Sequence, residues 1–333
     1  MIAQLDSLYI KTRPAKVLPR LISYALFEGR PLTTRGQWIN PLVFAHLGLE
    51  ARLPQLKKVE KPIFIVGTGR SGSTILGVLM SMHRGVGFLN EPKALWHAAY
   101  PHADVFGQHT KGSVSYSLDE EDATEEVRRR TRRLFGAYLR AVASRRVVDK
   151  YPELIFRVPF VRAIFPDARF IFLVRSGWDT CSSIEGWSQR NGAQANGEVH
   201  DWWGADNRKW RLMLEQLVPK EKDLADVAEE IEGFERHSDM AAVEWVITMR
   251  EGLRQMEQLP DCFRMLRYES LVENPRRELS RLLGFCELPQ DEVFLKYAER
   301  ELSLTERHGP FDLHPAIRAP FEETMEALGY QVA

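Results

Sequence analysis

The sequence has few cysteines, no long apolar run and no excess of charge of either sign. Its three cysteines, Cys181, Cys262 and Cys286, show no paired or metal-type spacing, which is typical of a reducing compartment. No apolar stretch reaches the ~18 residues of a membrane span, and the first residues lack the basic and apolar regions of a secretory signal. The 45 basic and 46 acidic residues nearly balance, so no nucleic-acid partner is indicated. We therefore expect a cytoplasmic location.

Short apolar runs with strand-like composition alternate with helical patterns along the 333 residues. This alternation indicates an α/β fold with a central parallel sheet and crossover helices. The predicted strands are Ile63–Val66, Val86–Leu89, Val147–Asp149, Phe170–Val174 and Phe263–Arg267. The predicted helices are Ser73–Met82, Asp119–Arg146, Phe156–Phe165 and Met240–Gln258.

The pattern divides the chain into a lead-in and one domain. Residues 1–58 form helical segments broken by prolines, and residues 59–333 form a single α/β domain. Within that domain the polar, charge-rich residues 188–240 are interpreted as a helical lid inserted over one end of the sheet. In the lead-in, Val17–Phe27 either packs on the domain or touches a membrane surface, and its thin basic face favours packing.

A glycine-rich loop follows the first predicted strand. Gly67, Gly69 and Gly72 lie between the strand Ile63–Val66 and a helical pattern, an arrangement that directs backbone N–H groups and a helix N-terminus at one phosphate. The spacing from Gly67 to Gly72 fits a P-loop, yet Ser73 occupies the position of the lysine that nucleoside triphosphate users require. The loop is therefore predicted to hold a phosphate-like group other than the terminal phosphates of ATP.

An arginine ends the strand Phe170–Val174. Nucleoside triphosphatases commonly place a Mg²⁺-binding aspartate at the end of a central strand, whereas this chain has Arg175 there. An arginine at the carboxyl edge of a parallel sheet binds anions and repels a metal. Together with the missing lysine, Arg175 indicates a metal-free site for two separate anionic groups.

These segments together resemble the sulfotransferases that use 3′-phosphoadenosine 5′-phosphosulfate (PAPS). The loop residues Gly69, Arg70, Ser71, Gly72, Ser73 and Thr74 are similar to the family's 5′-phosphosulfate loop. Arg175 and Ser183 resemble its 3′-phosphate pair, and Tyr268 lies in a segment, Arg267–Pro275, that resembles its RYEDL…P motif. The resemblance implies a P-loop-type three-layer αβα fold, PAPS as co-substrate and no metal.

Two further segments resemble catalytic motifs of these enzymes. Phe88–His97 is similar to the EP…WH segment of carbohydrate 6-O-sulfotransferases, and Glu91 follows Arg70 by the spacing found in tyrosylprotein sulfotransferases. The resemblance implies that Glu91 is the base for the acceptor hydroxyl. Lys150 lies in a segment similar to a K-x-P motif, which implies a contact with the leaving oxygen.

The residues that contact the acceptor are harder to identify from the sequence. His97, Trp187, Trp202 and Trp203 are candidate acceptor contacts, because flat aromatic rings beside polar groups suit a sugar. Each tryptophan taken singly is expected to pack the lid against the sheet, with one or two of them lining the cleft. Trp187 stands where the tyrosylprotein enzymes carry a phosphate-binding arginine, and Arg307 is a weak substitute for the C-terminal R-K-G element of cytosolic members.

The predicted function is sulfuryl transfer from PAPS to a hydroxyl of a carbohydrate or glycoconjugate. A P-loop small-molecule kinase, a non-catalytic nucleotide-binding module, and a sulfotransferase for lipid, polyketide or peptide tyrosine hydroxyls remain alternatives. Neither a nucleic-acid partner nor a transmembrane segment is expected, peripheral membrane contact stays open, and the sequence does not indicate an oligomeric state.

Overall fold

A five-stranded parallel sheet forms the centre of the chain in the computed structural model, which describes residues 3–30, 36–110, 112–195, 197–303 and 308–331. The sheet order is β2-β3-β1-β4-β8, and every neighbouring pair is parallel. Its strands are β1 Ile63–Gly67, β2 Val86–Asn90, β3 Arg146–Lys150, β4 Arg169–Val174 and β8 Phe263–Arg267. Each predicted strand is present, with its ends shifted by one residue at most, and the predicted α/β class is confirmed.

Helices cover both faces of the sheet. The two faces carry separate hydrophobic clusters, and β1 contributes to both because its side chains alternate between Ile63 and Ile65 on one side and Phe64 and Val66 on the other. All five residues of β1 are buried, which explains its unbroken apolar run. The result is the three-layer αβα arrangement that the sequence predicted.

Sixteen α-helices lie within the described ranges. They are α1 Ser7–Thr12, α2 Val17–Ile22, α3 Asn40–Glu50, α4 Ser73–Met82, α5 Lys93–Ala99, α6 Glu125–Ala141, α7 Val158–Ile164, α8 Gly177–Asn191, α9 Arg208–Gln216, α10 Lys222–Ala225, α11 Ala228–Glu232, α12 His237–Gln258, α13 Tyr268–Glu273, α14 Pro275–Phe285, α15 Glu292–Glu301 and α16 Pro315–Ala327. None of the helices that the structure describes combines the length and apolarity required to cross a bilayer.

The predicted helix Asp119–Arg146 is shorter in the structure. It begins as the α-helix α6 at Glu125 and ends at Ala141. The chain then turns through Ala143, whose φ is +49°, while the N–H of Ser144 donates to the carbonyl of Leu139 at 3.1 Å. This six-to-one bond is a helix-terminating motif. The helix therefore ends at Ala141, although the pattern of charged residues that predicted it continues to Arg146.

The described residues of the lead-in (residues 1–58) pack on the domain as a layer of short helices, the N-terminal layer. Tyr9, Phe27, Val43 and Leu47 bury their side chains in the two clusters, and a π-helical turn over Ser23–Phe27 continues α2. Arg20 is buried beside Glu28, whose carboxylate also accepts from the N–H of Asn90 at 2.9 Å. The N-terminal layer therefore contacts the end of β2, next to Glu91.

The insertion at residues 188–240 contains more than the predicted helices. A small antiparallel sheet in the order β5-β6-β7 opens it, with β5 Ala193–Ala195, β6 Glu198–Asp201 and β7 Gly204–Ala205. Three short helices, α9 to α11, follow. The small sheet places Asp201 and Trp202 at the mouth of the central cleft.

Candidate active site

The glycine-rich loop connects β1 to α4 and bends through left-handed conformations. Arg70 has a φ of +65° and Gly72 a φ of +92°, and the hydroxyl of Ser71 donates to the carbonyl of Thr68 at 2.6 Å. The N-cap of α4 is Gly72, and no described side chain caps this N-terminus, so its first N–H groups remain available to a ligand. Such a nest of N–H groups at a helix N-terminus suits a phosphate or sulfate.

Two of the loop's glycines are required by aromatic neighbours. A Cβ atom on Gly72 would lie about 2.4 Å from the ring of Tyr268, and one on Gly69 would lie 2.3 Å from the indole of Trp202. Because real contacts of this kind are longer, neither position accepts a side chain without movement. Tyr268 and Trp202 thus both lie against the loop.

A cluster of cationic side chains lies beside the loop. Arg70 donates through Nε to the hydroxyl of Ser183 at 3.1 Å, and Arg175 donates to the carbonyl of Arg70 at 3.3 Å. The guanidinium of Arg175 also stacks 5.0 Å from the ring centre of Tyr268. Burial lowers the pKa of Arg70, and the positive charges of Arg190 and Arg175 lower it further. A site with this excess of positive charge favours an anionic ligand.

Glu91 occupies a strained backbone position just beyond β2. Its φ is +48°, in the left-handed region that non-glycine residues rarely adopt, and the following Pro92 restricts it further. A hydrogen bond of 2.7 Å from its N–H to the carbonyl of Lys150 holds this conformation. In this conformation the carboxylate contacts Lys150.

Two lysines surround the Glu91 carboxylate. Lys150 Nζ donates to Oε1, and Lys93 Nζ lies 3.5 Å from Oε2. Burial alone would raise the pKa of Glu91, but the positive charges of Lys150 and Lys93 outweigh it and lower the pKa to about 2. The side chain keeps 36% of its surface exposed to the cleft. Glu91 is therefore an ionised carboxylate with part of its surface open to the cleft.

Asp149 lies beside Lys150 on β3, and its side chain contacts the core. It is fully buried and accepts a hydrogen bond of 2.8 Å from the indole of Trp96. Burial raises its pKa to about 8, although the Trp96 bond opposes the shift. The folded chain thus keeps this proton up to about pH 8, while the unfolded chain releases it near pH 4, so stability falls as pH rises through this window.

Replacement of Asp149 by asparagine should remove this pH dependence. The amide keeps an acceptor for Trp96 and carries no charge, so the variant should gain thermal stability relative to wild type from about pH 5 to about pH 8. Melting temperatures of both proteins across this range measure the effect. The exposed Asp226→Asn is the matched control, and parallel curves for Asp149→Asn and wild type would contradict the assignment.

One cleft of about 210 Å³ brings the principal groups together. Glu91 and Lys150 line it together with Trp187 and Trp202, whose ring centres are 5.6 Å apart. Loop residues on the same cleft are Gly69, Arg70, Ser73 and Thr74. The cleft lies at the carboxyl ends of β1, β2 and β3, where ligands bind in parallel sheets.

Two of the acceptor candidates lie away from this cleft. Trp203 is fully buried and donates to the ring of His237 at 3.1 Å. His97 does not line the cleft either. Its ring lies 5.5 Å from that of Phe44 and 5.3 Å from that of His109, and burial lowers its pKa.

A buried charged network, which the sequence did not indicate, supports the tryptophan side of the cleft. The Lys209 ammonium is fully buried, lies 2.5 Å from Glu244 and faces the ring of Trp202 at 4.6 Å. Glu244 also accepts from the indole of Trp202 at 2.6 Å. The network fixes the orientation of Trp202 above the loop. Lys209 and Glu244 are 35 residues apart, and no short motif connects them.

Glu153 is a second cleft carboxylate that sequence reasoning missed. It follows Lys150 by three residues, lines the cleft and leaves one buried oxygen without a hydrogen bond among the described residues. Burial raises its pKa, although Lys209 and Lys93 oppose the shift. The sequence could have indicated Glu153 by its position three residues after Lys150, because a carboxylate so close to a predicted site residue is a candidate for the same cleft.

A second cavity of about 260 Å³ adjoins the cleft on the side of the N-terminal layer. Glu91, Lys93 and Gln108 line both spaces. The lead-in contributes Tyr24 and Arg30, with the guanidinium 3.2 Å from the centre of the tyrosine ring. The N-terminal layer therefore packs on the domain and also lines a cavity next to Glu91.

Taken together, the parallel sheet, the glycine-rich loop and the cationic cluster define a P-loop-type α/β protein with an anion-binding cleft. The chain belongs to the sulfotransferase family, because the model described as "Sulfotransferase family" matches residues 62–228, just over half of its length. It is a sulfotransferase, as the sequence motifs predicted. Within the described residues no group of three or more His, Cys, Asp or Glu side chains could hold a metal ion.

Known proteins similar to this chain share modest identity with it. A candidate protein-tyrosine sulfotransferase of Caenorhabditis briggsae is 20% identical over 256 residues, which cover 73% of this chain and 71% of the relative. Nodulation protein NoeE of Sinorhizobium fredii is 24% identical over 236 residues, or 66% of this chain and 48% of NoeE. Among solved structures, sulfotransferase STF9 from Mycobacterium avium has a TM-score of 0.50 at 12% identity, with 99% of this chain and 98% of STF9 covered. This last similarity supports the fold alone.

Proposed function

We propose that the chain transfers the sulfuryl group of PAPS to a hydroxyl of a carbohydrate or glycoconjugate, with Glu91 as the base. The observation that carries the proposal is the Glu91–Lys150 pair on the wall of a cleft that the phosphate-type loop and two tryptophans also line. A carboxylate, an ammonium and a nest of N–H groups around one cavity are the groups that an in-line displacement at sulfur requires.

The residues beside the loop fit the two anionic ends of PAPS. The N–H groups of the loop and of α4 suit the 5′-phosphosulfate, with Gly69–Thr74 as its binding segment. Arg175 and Ser183 are proposed for the 3′-phosphate, and Tyr268 for the nucleoside beside it. In support, Arg70 links the two parts through its bond to Ser183. PAPS supplies the activated sulfuryl group, and we propose no metal.

Glu91 accepts the proton of the acceptor hydroxyl as that oxygen forms its bond to sulfur and the bond from sulfur to the 5′-phosphate oxygen breaks. Lys150 donates to the departing phosphate oxygen, where negative charge grows, and one preorganised donor of this kind contributes about 3 kcal/mol. In the structure Lys150 is paired with Glu91. When Lys150 turns to the phosphate oxygen, the pKa of Glu91 rises, which makes the carboxylate a better base.

The composition of the acceptor wall favours a sugar. Trp187 and Trp202 offer flat apolar faces, and His200, Asp201 and Gln108 offer polar groups around the same cleft. Sugars present an apolar ring face and hydroxyl groups to such walls. Peptide tyrosine is the second acceptor class, favoured by the name of the C. briggsae relative. A kinase is disfavoured by Ser73 and Arg175 in place of a lysine and a metal ligand.

Thermal unfolding should separate the sulfotransferase and kinase proposals. The product nucleotide, 3′,5′-ADP (PAP), should stabilise the chain without Mg²⁺, by about 2.7 kcal/mol at a concentration 100 times its Kd. ATP with Mg²⁺ is the comparison ligand and should give a much smaller shift. A response to Mg-ATP alone would contradict the proposal.

The acceptor itself is tested by a transfer assay. Labelled PAPS is incubated with the chain and a panel of saccharides, tyrosine peptides, lipids and polyketide alcohols, and transfer of the label is measured. Labelled saccharides support the carbohydrate proposal. Label on tyrosine peptides alone would replace it with the second acceptor class.

A further inference from the structure

Exposed large apolar side chains are concentrated in the N-terminal layer. In the described part of the chain eleven such side chains are exposed, and nine of them lie between residues 10 and 56. The two others are Val199 and Val293. Single exposed apolar residues are normal on a protein surface, whereas a concentration of this kind marks an interaction surface.

Helix α3 and its flanks carry the largest part of this set. Trp38, Leu42 and Leu49 are 74%, 66% and 58% exposed, and their spacing places them on one face of a helix. Val43 and Leu47, on the opposite face, are almost fully buried. The helix therefore packs one apolar face on the domain and presents a second apolar face to solvent, which its own fold does not require.

A cluster of arginines adjoins the end of this helix. Arg52, Arg129, Arg130 and Arg133 line a shallow cavity of about 400 Å³ next to Gly48 and Ala51, with a single carboxylate, Glu126, among the described lining residues. None of these arginines has an ion-pair partner among the residues that the structure describes. Residues 1–58 as a whole contain nine basic and three acidic residues, although the complete chain carries a formal charge of −1. The exposed apolar face thus has a basic border.

We propose that Trp38, Leu42, Leu49 and Leu53, with Arg52, Arg129 and Arg133, form an apolar–basic surface that binds the headgroup region of an anionic bilayer. The apolar side chains would enter the boundary between headgroups and acyl chains, and the guanidinium groups would meet lipid phosphates. A second copy of the chain fits less well. A two-fold contact through this surface would bring two clusters of unpaired arginines together.

The apolar–basic surface lies in the layer that also borders the site of Glu91. If the proposed function is correct, membrane binding through this surface would bring membrane-bound acceptors close to that site. The same N-terminal layer lines the second cavity beside Glu91, with Tyr24 and Arg30. Helix α3 packs against the segment that contains Tyr24. Attachment through α3 would therefore favour acceptors whose hydroxyl-bearing head is carried on a lipid.

Vesicle sedimentation of the full chain tests the proposal without PAPS or an acceptor, so failure of the proposed reaction cannot affect it. Wild type should bind phosphatidylcholine vesicles that contain phosphatidylglycerol, and bind pure phosphatidylcholine much more weakly. Leu42→Asp and Leu49→Asp should each weaken binding by at least about tenfold. Val293→Asp is the matched control, because it removes an exposed apolar side chain and adds the same charge outside the layer.

A charge variant tests the basic border separately. Arg52→Gln/Arg129→Gln should weaken binding to the anionic vesicles by about 30-fold, at roughly fivefold for each basic residue. The exposed pair Arg277→Gln/Arg300→Gln is its control. Failure of wild type to bind either vesicle, or full binding by both aspartate variants, overturns the proposal. A dimer in light scattering that Leu49→Asp dissociates, without vesicle binding, would instead assign the surface to a second copy.

Discussion

Glutamine in place of Glu91 should lower kcat by about 10²- to 10⁴-fold and leave the affinity for PAP nearly unchanged. The amide keeps the shape of the side chain and still accepts a hydrogen bond from Lys150, but it cannot take the proton of an acceptor hydroxyl. Glu91 lies on the cleft wall at the end of β2, and the proposed nucleotide contacts are Arg175, Ser183 and the loop. Transfer of label from PAPS measures kcat, and calorimetry measures PAP binding.

The controls for this variant distinguish the two cleft carboxylates. Glu60→Gln removes an exposed carboxylate that does not line the cleft, and it should change neither kcat nor the affinity for PAP. Full turnover by Glu91→Gln would show that the base has been misassigned. If Glu153→Gln then abolished turnover, the role would pass to Glu153, whose pKa is raised by burial.

Alanine in place of Arg175 should weaken PAP binding by about 10- to 100-fold, the loss expected for a hydrogen-bonded charge pair with phosphate. Arg175 follows β4 and its side chain is only 12% exposed. Among the described residues it has one carboxylate within ion-pair distance, Asp179 at 3.7 Å. Most of its hydrogen-bonding capacity is therefore available to a ligand. Calorimetric titration with PAP measures the loss directly.

Arg175 also contacts the protein, so the variant needs structural controls. Its guanidinium packs on Tyr268, and thermal unfolding of the ligand-free variant reports whether the fold survives. Arg175→Lys should bind PAP with intermediate affinity, because it keeps the charge and loses the planar fork. The exposed Arg300→Ala is the matched control. Undiminished PAP affinity in Arg175→Ala would refute the phosphate role.

The sequence predicted the strands β1 and β4 well because they are buried on both faces. Ile63–Val66 and Phe170–Val174 are continuous apolar runs, and such runs are typical of parallel strands covered by helices. The glycine-rich loop could also be predicted, because its residue types reflect its backbone geometry. Gly72 is required by its left-handed backbone and by the ring of Tyr268, so the residue type records the local geometry.

Contacts between segments that are far apart in the chain could not be predicted from the sequence. Lys209 and Glu244 pair across the insertion, and Trp202 reaches Gly69 from more than 130 residues away, so neither contact leaves a local pattern. The small sheet β5-β6-β7 was missed because its strands are only two to four residues long. The left-handed backbone of Glu91 could not be predicted either, because the tertiary contact with Lys150 imposes it.

The cationic cluster beside the loop also bears on the end of each reaction cycle. The positive charges of Arg175 and Arg190 act unfavourably on that of Arg70 in the absence of a ligand, and a nucleotide bound with phosphates at both ends would relieve this repulsion. Under the proposed function, PAP keeps both of these attachments after the sulfuryl group has left, whereas the sulfated acceptor keeps neither. We therefore expect PAP to be the slower of the two products to depart, and its release is a step that can limit repeated turnovers.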